Sequence, residues 1–71
     1  MLYFTVLRHS RQLIVGPLDD KDRPPYYCQF YSAECIIGQR DGNTYMFHVT
    51  EIRSESNAAI SGYCVEGECQ L

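Results

Sequence analysis

Four cysteines stand among 71 residues, and their spacing decides what chemistry they can do. Six residues separate Cys28 from Cys35, and four separate Cys64 from Cys69. A structural zinc site draws its ligands from tight pairs about two to four residues apart, because a knuckle turn must aim two thiolates at one ion. The first pair falls outside that range and the second sits at its edge, so Cys28, Cys35, His48, Cys64 and Cys69 form only a weak metal alternative. No C-x-x-C redox pair is present, nor any helix start that would depress a thiol pKa. In an exported chain four cysteines would form two disulfides in one of three pairings. Without an export signal the simpler expectation is free thiols, with Cys28, Cys35 and Cys64 acting as small apolar core residues.

The remaining polar residues offer little catalytic material. A cysteine nucleophile activated by His9 or His48 would need a third orienting group and a pocket, for which so short a chain has little room. Asp19, Asp20 and Asp22 share one segment, but Lys21 and Arg23 interrupt them and no bidentate glutamate follows, so a calcium loop is not formed. No glycine-rich phosphate loop occurs, and no cofactor is implied. Arg8, His9 and Arg11 form the one basic cluster. Beside exposed tyrosines these three would make a nucleic-acid-binding site. The formal charge of −3 has the wrong sign for a protein whose main task is to neutralise phosphates, which ranks that reading second.

These residues must be held by short strands. Leu2 to Leu7 and Arg11 to Val15 are dense in strand formers. A two-residue turn at His9 and Ser10 would set Arg8 opposite Arg11, so a looser four-residue loop is expected between them. Gly16 and Pro17 end the second run, and Leu18 to Pro25 reads as a charged, solvated connector. Tyr26 to Tyr31 is a third strand, with Tyr26, Cys28 and Phe30 on one face and Tyr27, Gln29 and Tyr31 on the other. It is also the candidate for an unpaired edge open to sheet augmentation.

The clearest signal is the hairpin Glu34 to Val49, turning at Asp41 and Gly42. Its register pairs Ile36 with Phe47, Gly38 with Tyr45, Ile37 with Met46 and Cys35 with His48, and Tyr45 is expected to cover the gap at Gly38. The alternation Tyr45, Phe47, Val49 fails at Glu51, which predicts a bulge or strand exit near Thr50. A polar turn then follows from Arg53 to Asn57, with at most one helical turn at Ser56 to Ala59, capped by Ser56. Ala59 to Val65 is the last strand, and the acidic tail from Glu66 frays unless Cys69 ties it down.

A chain of this length allows one domain, residues 1–71, with a thin core. The pattern predicts an all-β fold, either a small SH3-like barrel or a strongly curved antiparallel sheet of five or six short strands. The apolar run Met1 to Leu7 is too short for a signal peptide or membrane span, and the expectation is a cytoplasmic protein. The aromatic content exceeds what one thin core needs. The expected function is therefore a small non-enzymatic protein-binding module, an inhibitor or regulator that occupies a surface on a larger protein, or pairs with a second copy. Tyr27, Tyr31, Tyr45, Met46, Arg8 and Arg11 are its candidate contacts. A nucleic-acid-binding barrel and a metal-stabilised structural module are the alternatives.

Overall fold

The computed structural model describes residues 1–18 and 22–70. Asp19 and Asp20, weighed above as calcium ligands, lie outside the described residues, as does Lys21. Six strands follow in order: β1 Leu2–Leu7, β2 Gln12–Gly16, β3 Tyr26–Tyr31, β4 Cys35–Arg40, β5 Asn43–Glu55 and β6 Ala59–Glu66. Each pairs antiparallel with the next, and β6 returns to β1 from Leu2↔Cys64 to Leu7↔Ala59, which closes the barrel. Of the two architectures expected, the small antiparallel barrel is the one formed. Among the described residues no helix is long and apolar enough to cross a membrane.

Strand alternation builds the interior. Phe4 and Val6 of β1, Leu13 and Val15 of β2, Tyr26 and Cys28 of β3, Ile36 of β4, Phe47 and Val49 of β5, and Ile60 and Cys64 of β6 form one buried cluster. The central hairpin has the register that its turn dictates. Asp41 and Gly42 both take positive φ, 54° and 80°, the two left-handed positions of a type I′ turn. Between β1 and β2 the loop is the four-residue kind, with the Arg11 amide donating to the Leu7 carbonyl at 2.8 Å.

Several expectations need correction. The gap at Gly38 is filled by Leu13 and Tyr26, whose side-chain carbons approach to 3.0 and 3.1 Å of where a Cβ would stand. Tyr45 instead meets Tyr26 edge-on, at 5.1 Å between ring centroids. No helical turn forms at Ser56 to Ala59; the Ser56 hydroxyl accepts from the amides of Ala58 and Ala59, each at 3.2 Å, in a tight reversal between strands. The slip after Val49 is a bulge and not an exit. β5 runs on to Glu55 through two register shifts, between Val49 and Glu51 and between Ile52 and Ser54, because each bulge bends the strand around the barrel while polar side chains face water.

β3 is not an unpaired edge. It pairs with β4 from Tyr27 to Tyr31 and with β2 at Tyr26 and Tyr27. A bulge between Cys28 and Phe30 also reverses the facing expected beyond it. Phe30 turns outward and is 41% exposed, whereas Tyr31 packs partly buried against the core.

The cysteines divide in a way their spacing did not reveal. Cys35 and Cys69 form a disulfide across 34 residues of chain, so they are neither free thiols nor metal ligands, while Cys28 and Cys64 are free and buried. The bond holds the tail over β5, where the Gly67 amide donates to the Met46 carbonyl at 3.0 Å. A loop of that length predicts a stabilisation of roughly 3–4 kcal/mol on the chain-entropy account. Reduction, or Cys69→Ser, is therefore expected to lower the urea midpoint markedly while far-ultraviolet circular dichroism still reports the barrel strands. An unchanged midpoint would show that the tail contributes nothing.

Gly62 is fixed by a second constraint. A Cβ there would collide with the carbonyl oxygen of Glu51 and stand 3.0 Å from the Cα of Ile52, since the first β5 bulge presses its backbone against β6. Gly62→Ala is expected to cost about 3 kcal/mol or more, against well under 1 kcal/mol for Gly16→Ala, where nothing lies within 4 Å. Equal denaturation midpoints for the two variants would contradict this packing.

Candidate functional site

The short seam between β2 and β3 positions a concavity. After Leu13↔Tyr26 and Gln12↔Tyr27 the two strands part, with one further link from the Cys28 amide to the Arg11 carbonyl at 2.7 Å. Gln29, Phe30 and Tyr31 continue along β4 with no register partner on β2. A cleft of about 300 Å³ opens there, lined by Val6, Arg8, Arg11, Cys28, Gln29, Phe30 and Tyr31. Val6 and Cys28 belong to the barrel core, so the cleft floor is apolar. Its rim carries the two arginines and the outward ring of Phe30.

The arginines differ in their engagement. Arg8 donates through Nη1 to the Tyr31 hydroxyl, through Nη2 to Glu55 at 3.0 Å, and through Nε to the Ser56 carbonyl at 2.7 Å. It also stacks 5.2 Å from the Tyr31 ring centroid. This arrangement ties three strands together across the end of the barrel and fixes the Tyr31 ring. Arg11 is exposed at a φ of 59°, and among the described residues no carboxylate lies within ion-pair distance of its guanidinium. The cleft therefore has one cation held by the fold, Arg8, and one, Arg11, with no carboxylate partner among the described residues.

Of the six contacts expected for protein binding, Arg8, Arg11 and Tyr31 line this cleft, and Tyr27 stands 51% exposed on the same strand. Tyr45 and Met46 do not join them. They line a shallower depression with Thr44, Glu66, Gly67 and Glu68 under the C-terminal tail. Of the nucleic-acid set, Arg8 and Arg11 meet at the cleft while His9 is exposed on the loop and does not line it. The cysteines and His48 are not assembled, and among the described residues no group of three or more His, Cys, Asp or Glu side chains is placed to hold a metal ion.

Phe30, Gln29 and Val6 were missed as site residues, and Cys28 was weighed only as a metal ligand or core residue, because the bulge that exposes Phe30 depends on its partner strand and has no local signature. Arg40 was missed as well. It is buried at 3% exposure, with its guanidinium 3.7 Å from the Tyr26 ring centroid, a cation–π contact at the opposite end of the barrel. Its position on the Ile36, Gly38, Arg40 face was readable from strand period alone.

The free thiols are held protonated. Burial pushes the Cys28 thiol up, with its hydrogen bond to the Phe30 carbonyl and then Arg11 pulling the other way, and burial pushes Cys64 up to about 11. A desolvated thiol is a poor nucleophile, so Cys28 serves as apolar floor. No protein-family model, curated protein or solved structure matches the chain.

The raised Cys64 pKa has a definite consequence for stability. Its folded value lies above the ordinary thiol value of 9.0, so the contribution is fully present below pH 9 and is lost as pH rises toward 11. Stability is expected to fall by about 2 kcal/mol across that interval from this group. Urea titrations at pH 8 and pH 10.5 should show the decline, and Cys64→Ala should reduce it, leaving the part due to the raised Cys28 and Tyr26 pKa values, while lowering stability at both values. An identical decline in the variant would assign the effect elsewhere.

Proposed function

We propose that this barrel is a small non-enzymatic binding module that docks on a larger protein through the β2–β3 cleft. The observation that carries the reading is the outward placement of Phe30. A bulge turns an apolar ring with no polar tip toward solvent, beside an apolar-floored cleft and Arg11, which has no carboxylate partner among the described residues. Exposed aromatics and arginine at the margin of a desolvated pocket are the groups that supply most of the energy in protein interfaces. An inhibitor or regulator that works by covering a partner's surface needs nothing more.

The same geometry disfavours nucleic acid as the main ligand. Arg8 is already engaged by Glu55, Tyr31 and Ser56, which leaves Arg11 as the cleft's available cation on a chain of net charge −3. One such charge gives little phosphate neutralisation. For location, the Cys35–Cys69 disulfide is the informative feature. Disulfides persist in oxidising compartments and are rare in the cytosol, so we favour an oxidising environment over the cytoplasmic expectation.

A photo-crosslinking residue placed at Phe30, in cells of the source, tests the reading against the same residue placed at Thr50 on the outer face of β5. A discrete adduct from position 30 and none from position 50 is the expected result. Equal labelling from both, or none from either, would overturn it. Phe30→Ala should abolish competition for that adduct and lower the unfolding free energy by no more than about 1–1.5 kcal/mol, since the ring is 41% exposed.

A further inference from the structure

Resting on the reading of this cleft as a protein-binding surface, we infer that its occupant is an extended peptide segment bearing a carboxylate, which adds as a strand beside Gln29–Tyr31 and pairs with Arg11. Two independent features point to this. The first is backbone. β3 runs on with β4 through Tyr31, yet its β2 neighbour ends at the Arg11 carbonyl link to Cys28, so the ladder is open to another strand on one side over this short stretch, where the Phe30 carbonyl accepts from the Cys28 thiol at 3.5 Å. Unpaired strand backbone is a template for another strand about 4.8 Å away, and extended peptides use such edges with side-chain pockets supplying selectivity.

The second feature is charge. Arg8 is neutralised by Glu55 at 3.0 Å, while Arg11, at the other side of the opening, has no such partner among the described residues. A carboxylate on an incoming strand would complete that set, and an arginine fork can take it through two hydrogen bonds. An added strand alternates its side chains. One face would lie on Val6 and Cys28, and a neighbouring residue on the opposite face, the side of Phe30, would reach Arg11, so an apolar residue next to an acidic one is the pattern selected. A lysine at the acidic position would be rejected by the same guanidinium.

Nuclear magnetic resonance titration of the isotope-labelled full chain tests this with capped synthetic peptides of sequence TVTVETT, in which the valines share one face and the glutamate lies on the other, and its glutamine and lysine counterparts, TVTVQTT and TVTVKTT. The glutamate peptide should shift the amides of Cys28 to Tyr31 and of Arg11, and should bind at least fivefold more tightly than the glutamine peptide. Arg11→Gln should remove that preference, and Arg11→Glu should transfer it to the lysine peptide. Methylation of alternate peptide backbone nitrogens should abolish the shifts if a strand is added. Equal affinity for the three peptides, insensitivity to backbone methylation, or shifts located elsewhere would overturn the inference. So would a concentration-dependent dimer that produces the same shifts without peptide, since a second copy would then be the occupant. Any of these results together with a discrete crosslink from position 30 would sink the acidic-strand inference alone, whereas loss of the crosslink would sink the docking site itself.

Discussion

Closure of the sheet is the constraint on which the molecule depends. Six strands of mostly five to eight residues cannot bury a core as a flat sheet, because each edge would expose backbone and each face would need a separate cover. The pairing of β1 with β6 removes both edges together. That pairing is reached because β5, at 13 residues, serves two neighbours: its first part pairs with β4, and from Phe47 onward it pairs with β6. The two bulges bend it between those duties, and Gly62 leaves room for the backbone that the first bulge displaces.

What was legible in the sequence was what local chemistry determines. The Asp41–Gly42 turn requires two left-handed residues, and once it is fixed the register of β4 against β5 follows by counting. The bulge near Thr50 was visible too, since apolar alternation breaks there. The continuation of β5 to Glu55 was not, because Thr50 to Glu55 is a polar run whose strand state comes from pairing with β6. The bulge at Gln29 was hidden for the same reason. The disulfide was hidden because the choice among three pairings is made by the barrel, which brings the tail after β6 back across β5 to Cys35.

The two ends of the barrel are finished differently, as the antiparallel register requires. At the end where β4 turns into β5, Arg40 lies on Tyr26, and Tyr26 meets both Tyr45 and Phe47 edge-on. These contacts plug the interior with buried rings and a buried guanidinium. At the other end, Arg8 links the β1–β2 loop to Glu55, Ser56 and Tyr31. This bridging spans the reversal between β5 and β6 but stops short of Arg11. The cleft is what remains between a completed network and an incomplete strand ladder.

The arrangement of Phe30 and Tyr31 is the reverse of what solvation alone would choose. Burying a phenylalanine ring is worth about 1.5–3 kcal/mol, and a tyrosine tolerates the surface better because its hydroxyl can meet water. Here Phe30 is out and Tyr31 is in, its hydroxyl bonded by Arg8. Register explains part of this: Tyr31 must face Ile36 for the Ser32–Cys35 turn to close, with the Ser32 amide on the Cys35 carbonyl at 2.7 Å. It does not explain why residue 30 is phenylalanine, because an exposed bulge position accepts a polar side chain without cost to the fold. Register and the Arg8 bond therefore account for the bulge and for Tyr31, whereas Phe30 joins Ile14 and Val65 among the exposed apolar side chains, and its identity is what the proposed docking surface would explain.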